Sequence, residues 1–161
     1  MSMPSAPPPQ QLPIEAKWCL EATSLKPSSN SGPCIQLEVA RTPQQQSWGL
    51  MGRPPLAPLR GMWFPYDQPQ VLKFWMHRTP APLDMLFIRD RRVIAIEANA
   101  SPCPRLPCRS YGPDEAADSV VELAAGEAGR LGIRVGSAAL ISPFRPLIHQ
   151  PAARPATQAR D

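Results

Sequence analysis

The sequence lacks long hydrophobic runs and the common catalytic motifs. It contains no stretch of the roughly 18 consecutive apolar residues that a membrane-spanning helix requires. Residues 1–11, as they stand, lack the basic start and the apolar stretch of a secretory signal peptide. A nucleophile elbow, a Walker loop, a dinucleotide-binding glycine pattern and a zinc-protease helix are all missing. We therefore expect no transmembrane segment and no cofactor, and none of the reactions that these four motifs carry out.

The positive charge is modest and is not gathered in one place. The net charge is +4 at neutral pH. A nucleic-acid-binding surface would need a stripe of Lys and Arg with aromatic residues between them, whereas the arginines here are spread along the chain. The densest cluster, Arg89, Arg91 and Arg92, is interrupted by Asp90. We interpret it as a solvated hairpin tip and expect no nucleic-acid partner.

Proline is present in excess, at 23 of 161 residues, about three times its usual share of roughly 5%. Proline fixes φ and removes a backbone donor, so it is kept out of helix interiors and central strands. The composition thus predicts short elements joined by stiff loops and excludes a long helical bundle. We expect a disordered proline-rich arm over residues 1–12, a single globular domain over 13–145 and a disordered tail over 146–161.

Hydrophobic patterning predicts a mostly β domain. The candidate strands cover residues 14–20, 34–40, 61–66, 71–77, 83–89, 93–98, 119–123 and 138–142. The first alternates only weakly, so we expect six or seven short strands. A turn is predicted at Asp67-Gln68-Pro69 and a hairpin around Asp90-Arg91. The nearly continuous apolar run of 83–89 is typical of a strand buried on both faces.

Two short helices complete the predicted fold. Thr42, Pro43 and Gln45 form a capping box with proline at the first helical position. Residues 126–131 can form one or two helical turns, and Gly132 is available for the left-handed position that ends them. The fold class is therefore α+β, mostly β, in a compact barrel-like or sandwich-like arrangement.

The four cysteines suggest disulfides. Cys19 and Cys34 bracket a polar loop, while Cys103 and Cys108 lie in a loop stiffened by prolines. Pairs of cysteines beside loops are typical of proteins in oxidising compartments. Neither spacing supplies the Cys-x2-Cys pair that structural zinc usually requires, and free thiols remain the alternative. We predict the bonds Cys19–Cys34 and Cys103–Cys108 and, from them, an extracytoplasmic (periplasmic or secreted) location, with a cytoplasmic one as the alternative.

Several motifs occur in an order that resembles the DUF192 family, a domain of unknown function. They are Gly49–Arg53, Phe74–Thr79, Pro82–Ile88, the group Cys103, Cys108 and Tyr111, the strand Val120–Leu123, and the segment from Ala125 to Gly136. The resemblance covers about residues 34–142. It implies a compact, mostly β fold with short helices, often in proteins with an exported or membrane-anchored N-terminus, and it implies no activity.

The sequence departs from the family pattern at two positions. His77 stands where similar sequences often have Lys or Arg, and Gly136 is followed by Ser137 rather than Asp. The first departure would make any role that depends on charge sensitive to pH. The second is expected to affect only a turn.

Tryptophan and methionine are concentrated between residues 48 and 85. One interpretation is that these residues fill the core. The other is that they form a pocket wall, with Arg53, His77 and Arg78 at its rim. Such a pocket would suit a small anionic or sugar-like ligand. The predicted ligand-binding residues are Arg53, Trp75, Met76, His77, Thr79 and Asp84. A copper(I) site from Met51, Met62, Met76 and His77 lacks the usual methionine spacing, so we expect no metal.

Asp84 opens a very apolar strand, where a carboxylate must be hydrogen-bonded or have a raised pKa. The structural hypothesis is that Asp84 accepts hydrogen bonds from backbone amides of residues 77–81. The catalytic hypothesis pairs it with His77 as acid and base.

The sequence therefore predicts an extracytoplasmic binding or accessory domain for a small anionic or sugar-like ligand. If the ligand is an anion, binding near Trp75 should tighten as His77 becomes protonated. The alternative is a small hydrolase or transferase that uses His77 and Asp84. The oligomeric state stays open.

Overall fold

The computed structural model describes residues 8–21 and 32–144. Within them the elements are β1 (Ile14–Cys19), β2 (Cys34–Val39), α1 (Pro43–Trp48), β3 (Arg60–Val71), β4 (Phe74–Trp75), β5 (Leu83–Arg89), β6 (Arg92–Ala100), β7 (Ser110–Tyr111), β8 (Ala116–Ala124), α2 (Glu127–Arg130) and β9 (Ile141–Pro143). The predicted fold class, mostly β with two short helices, is confirmed. None of the helices in these residues is long and apolar enough to cross a membrane.

Seven strands form one mixed sheet in the order β6-β5-β8-β3-β2-β1-β9, and β4 pairs with β7 in a small second sheet. Only β2 and β3 are parallel among the pairs that the structure describes. Before it reaches β9, the chain hydrogen-bonds to the opposite edge, from Gly136 N to Val93 O at 2.8 Å and from Val93 N to Ser137 O at 2.9 Å. The sheet is not closed by strand pairing, but this segment gives it a barrel-like outline.

The sheet is buried on both faces, and each face has its own hydrophobic cluster. On one face, which we call the α2 face, the cluster includes Trp18, Leu37, Leu86, Val121, Leu123 and, from α2, Ala128. On the other, the α1 face, it includes Leu50 just after α1 together with Met62, Phe64, Met85, Phe87 and Val120. Successive strand residues point to opposite faces, so β5 alternates between the two clusters. All of β5 except Arg89 is buried, as its apolar run predicts.

The capping box predicted at the start of α1 is present. The Thr42 hydroxyl accepts a hydrogen bond from the Gln45 backbone N–H, and the Gln45 side chain accepts one from the Thr42 N–H, both at 3.1 Å. The helix ends at Gly49, whose φ is 48°. This positive φ favours glycine, and it turns the chain back onto the α1 face.

The predicted hairpin between β5 and β6 is present. Asp90 and Arg91 both have positive φ, at 49° and 61°, which is typical of the two-residue turn that matches strand twist. Arg89, Arg91 and Arg92 are exposed at this tip.

Three predictions of strand or turn positions were wrong. Asp67-Gln68-Pro69 does not form a turn but lies within β3, because a register shift between Pro65 and Gln70 absorbs the extra residues while β3 continues along β8. The predicted strand 71–77 is reduced to β4, Phe74–Trp75. The last strand begins at Ile141 rather than Ala138, because Ala138 still bridges to Arg92 on the opposite edge.

Both predicted disulfides are present, Cys19–Cys34 and Cys103–Cys108. Cys19 and Cys34 face each other across the β1–β2 pair. Cys103 lies in the loop after β6 and packs against the α1-face cluster.

The described residues cover only part of the predicted arm and none of the predicted tail. Residues 1–7 of the predicted arm and the predicted tail 146–161 lie outside the described residues. Residues 8–12 lie against the domain. The Gln10 side chain donates hydrogen bonds to the carbonyl oxygens of Gln45 and Gly49, at 2.9 and 2.8 Å. This part of the predicted disordered arm is therefore docked, while the boundaries themselves stay predictions.

Candidate ligand-binding site

A pocket of about 420 Å³ opens on the α1 face, between α1 and the strands β3, β4 and β8. Its volume falls in the range of roughly 300–1,000 Å³ that small-molecule sites occupy. Five aromatic side chains line it: Trp48, Phe64, Tyr66, Phe74 and Trp75. Its polar lining includes Gln46, Thr79 and Glu122. We call this cavity the α1 pocket.

The aromatic wall has a fixed part and an open part. The ring of Phe74 packs edge-on against Phe64, with centroids 5.0 Å apart, and against Phe87 at 6.2 Å. Trp75, the next residue of β4, points the other way and is 46% exposed. Its indole therefore offers a stacking surface at the pocket mouth.

Glu122 is the buried polar group of the α1 pocket. It lies in β8 between Val121 and Leu123, opposite Met62 of β3 and Met85 of β5, and is only 4% exposed. None of the hydrogen bonds or ion pairs among the described residues reaches its carboxyl group, and burial raises the pKa of Glu122 to about 8. At pH 7 the group is therefore mainly protonated, so it can donate one hydrogen bond and accept others.

Two neighbours shape the surroundings of Glu122. Burial, and secondly the charge of Glu122, raises the pKa of the Tyr66 phenol. A Cβ atom on Gly49 would lie 3.4 Å from the Phe64 ring and 3.7 Å from Glu122 Oε1. The glycine at the end of α1 thus leaves space beside the carboxyl group.

Lys73 carries the one positive charge among the described residues that line the pocket. Its ammonium group donates hydrogen bonds to the Gly112 carbonyl at 2.6 Å and to Asp114 Oδ1 at 3.0 Å. Its ammonium group is therefore already paired, although with an exposed carboxylate.

Arg53, predicted to bind a ligand, has a structural role. Its Nη1 lies 2.7 Å from Glu38 Oε1, and the two side chains are 10% and 12% exposed. An arginine that balances a buried carboxylate is not free for an anion, because removing it would leave that charge unpaired.

The other predicted residues divide into two groups. Trp75 and Thr79 line the α1 pocket, and the Thr79 hydroxyl donates to the His77 carbonyl at 3.3 Å. Met76 is 1% exposed and belongs to the core of the α1 face. His77 lies beside Trp75, with ring centroids 4.9 Å apart, and does not belong to the lining.

Asp84 is held by backbone amides, as the structural hypothesis states, but the predicted donors were wrong. Its Oδ1 accepts from Asn99 N at 2.9 Å, and its Oδ2 accepts from Ala128 N, in the first turn of α2, at 3.0 Å. Asp84 points to the α2 face, so it meets α2 rather than residues 77–81. No hydrogen bond or ion pair in the described part of the chain joins it to His77, and the predicted acid–base pair is not assembled.

Sequence reasoning missed Glu122, although a signal was there. Glu122 is a single carboxylate inside an apolar strand, which is the same pattern that marked Asp84.

A metal site is not indicated by the structure of residues 8–21 and 32–144, where no group of three potential metal ligands comes together.

Comparisons with known proteins give one family and two similar solved structures. The family model for DUF192, described as an uncharacterised ACR, matches residues 25–141. A crystal structure from Sinorhizobium meliloti, described as a candidate transcription regulator, is 30% identical, with a TM-score of 0.66 over 83% of this chain and 98% of that one. A protein of unknown function from Novosphingobium aromaticivorans is 31% identical, with a TM-score of 0.66 over 85% and 94%. No curated protein matches.

Proposed function

The chain belongs to the DUF192 family, and because that membership brings no activity with it, we propose a function from the site: a binding domain for a small, uncharged, hydroxyl-bearing ligand of the sugar kind. The α1 pocket is the binding site. The observation that carries the proposal is Glu122, a buried carboxyl group without a protein partner in the described residues, at an aromatic-lined cavity.

The chemistry of the pocket favours hydroxyl groups. A protonated carboxyl donates and accepts hydrogen bonds at once, which matches a hydroxyl group that does the same. The exposed indole of Trp75 supplies a flat apolar surface for the C–H face of a sugar ring. A ligand that bonds to Glu122 would also relieve the cost of leaving a buried polar group unpaired.

The charges favour the sugar-like ligand over the anionic one. Arg53 is paired with Glu38, and Lys73 is paired with Asp114. An anion beside Glu122 would find no free cation among the lining residues that the structure describes. It would also meet a negative carboxylate whenever Glu122 ionises.

The proposed location is extracytoplasmic. Two disulfides support it, because such bonds persist in oxidising compartments. Alkylation of the non-reduced protein from its native host, followed by mass spectrometry, tests the location. We expect no alkylated cysteine, and four alkylated cysteines would indicate the cytoplasm.

Tryptophan fluorescence during titration with neutral mono- and disaccharides, at pH 6.5 and pH 9, tests the ligand class. We expect saturable binding at pH 6.5 that weakens about tenfold at pH 9, since ionisation removes the donor and creates a carboxylate that a ligand must desolvate. Trp75→Ala should weaken binding at both pH values. Glu122→Gln should remove the dependence on pH.

Glu115→Gln is the matched control, because it makes the same change at an exposed position outside the lining. Sugar acids and small carboxylates form the second arm of the titration. If only these bind, and if His77→Ala abolishes the binding, the ligand is an anion and the proposal is wrong. An absence of binding in both arms would also reject it.

A further inference from the structure

A second concave surface shares Trp48 and Met51 with the α1 pocket. It encloses about 390 Å³, and its remaining lining comes from Gly52, Arg78 and the segment Pro8–Gln10. We call the surface formed by Trp48, Met51, Gly52 and Arg78 the arm groove. Residues 8–12, which lie along it, are the arm segment.

The arm segment is held at alternate positions. Gln10 and Leu12 are half-buried, while Pro8, Pro9 and Gln11 are exposed. Over residues 9–12 this alternation is that of an extended chain with one side against a surface. The inward positions therefore carry the contacts, and the outward ones do not.

Gln10 provides the most specific contact. One amide nitrogen, Nε2, donates to the carbonyl oxygens of both Gln45 and Gly49. These carbonyls lie at the C-terminal end of α1, where the Gln45 oxygen also accepts the Gly49 N–H at 2.9 Å. A primary amide has two N–H groups on one nitrogen and can serve both acceptors.

Leu12 provides the second anchor. Its backbone N–H donates to Glu38 Oε1 at 2.9 Å, the same oxygen that Arg53 holds. Its side chain packs against the α1-face cluster. The arm segment thus joins α1, β2 and the buried ion pair.

Pro9, directly before the Gln10 anchor, fits closely against the groove. A Cβ atom on Gly52 would lie 3.1 Å from Pro9 Cγ, so the missing side chain allows Pro9 to approach the backbone. Trp48 lies in the same groove. Surfaces that combine tryptophan with a shallow groove bind proline-rich chains well, because proline already holds the extended conformation and loses little entropy.

We propose that the arm groove, together with the neighbouring carbonyls of Gln45 and Gly49 and the Glu38 carboxylate, is a recognition site for an extended proline-rich segment that carries glutamine two residues before leucine, and that residues 8–12 of the same molecule occupy it. The arm segment can occupy the groove whether or not a ligand fills the α1 pocket. Pro8 and Pro9 stay exposed on their outer sides, so the docking is shallow and the segment can exchange with a copy supplied as a peptide.

The test uses the full-length chain and a labelled peptide of residues 1–12. Gln10→Ala should release the arm segment, so the peptide should bind this variant about tenfold more tightly than it binds the wild type, as expected for losing two neutral hydrogen bonds. Gln11→Ala is the matched control, because Gln11 is the exposed neighbour, and it should behave as the wild type. Fluorescence anisotropy measures the binding.

Hydrogen exchange of residues 43–52 provides an independent readout. Gln10→Ala should speed exchange there, Gln11→Ala should not, and an excess of peptide should restore protection to the Gln10→Ala variant. A peptide that itself carries Gln10→Ala should fail to restore it.

Three results would overturn the proposal. They are equal binding of the peptide to the wild type and to Gln10→Ala, equal protection by the native and the altered peptide, and a concentration-dependent dimer of the wild type that Gln10→Ala dissociates. The last would mean that the arm segment docks on a second copy rather than on its own molecule.

Discussion

Asp84 on β5 and Glu122 on β8 lie on adjacent strands, and they are 1% and 4% exposed. Asp84 pairs in register with Leu123, and Glu122 pairs with Met85, so the two carboxyl groups point to opposite faces of the sheet. On the α2 face, Asp84 accepts hydrogen bonds from two backbone amides. On the α1 face, Glu122 accepts none from the described residues.

This difference separates the structural role of Asp84 from the binding role that we propose for Glu122. Asp84 ties the end of β6 and the first turn of α2 to β5, so its bonding capacity serves the fold. Glu122 is buried without such a partner, and its pKa rises as a result. A buried polar group without a partner costs free energy, and strongly shifted groups that lie in cavities are typical of functional sites.

The largest expected effect is the pH dependence that Glu122 imposes on stability. The ordinary pKa of a glutamate side chain is 4.5, and the pKa of Glu122 in the folded chain is about 8. Between these values the folded state holds a proton that the unfolded state has lost, so the free energy of unfolding should fall by about 1.4 kcal/mol per pH unit as pH rises. The stabilisation is complete below the lower value and lost above the higher one.

Glu122→Gln should remove this slope. Urea unfolding of the wild type and the variant between pH 5 and pH 8 should show a difference that changes by about 4 kcal/mol. Glu115→Gln, at an exposed position, should leave the slope unchanged. If the slope were the same in all three proteins, Glu122 would titrate as a solvated carboxyl group, and the contrast with Asp84 would disappear.

Asp84→Ala is expected to have the next largest effect, about 2–4 kcal/mol of lost stability. It leaves the buried amide of Ala128 and the partly buried amide of Asn99 without an acceptor, and a buried unpaired donor costs about 1–3 kcal/mol. Chemical denaturation measures the loss. Asp118→Ala is the matched control, since Asp118 accepts a single exposed bond from Asp90 N, and it should cost less than about 1 kcal/mol. Equal losses for the two variants would contradict the structural role of Asp84.

The smallest expected effect concerns Tyr66, whose pKa is raised first by burial and then by the charge of Glu122. Glu122→Gln should lower the pKa of Tyr66 but leave it above the ordinary value of 10.0, because burial remains. Ultraviolet absorbance of the phenolate, compared with Tyr66→Phe to subtract Tyr111, measures the shift. An unchanged pKa in Glu122→Gln would mean that the two side chains do not interact.

The features that the sequence could predict depend on neighbouring residues. The capping box of α1, the turn at Asp90-Arg91 and the two-sided burial of β5 follow from short stretches of chain and are confirmed. The continuation of β3 through Asp67-Gln68-Pro69 could not be predicted, because it depends on pairing with β8, about fifty residues further along the chain.

The candidate site also depends on contacts between residues that are far apart in the sequence. The donors to Asp84 lie 15 and 44 residues away, and only the order of the strands brings them there. Trp75, which the sequence suggested as a stacking surface, is exposed at the pocket mouth, and its contact with a ligand stays a prediction. Glu122 becomes a pocket residue only when α1 crosses the same face of the sheet, which local patterns do not reveal.

Trp48 and Met51 stand in the walls of both the α1 pocket and the arm groove. Two binding events that act on the same side chains are thermodynamically linked, and the linkage is reciprocal. If a ligand in the α1 pocket tightens the docking of the arm segment by some factor, the docked segment tightens the ligand by that same factor. The arm segment, which also hydrogen-bonds to Gly49 in the pocket lining, can in this way adjust the affinity of the α1 pocket from outside the cavity.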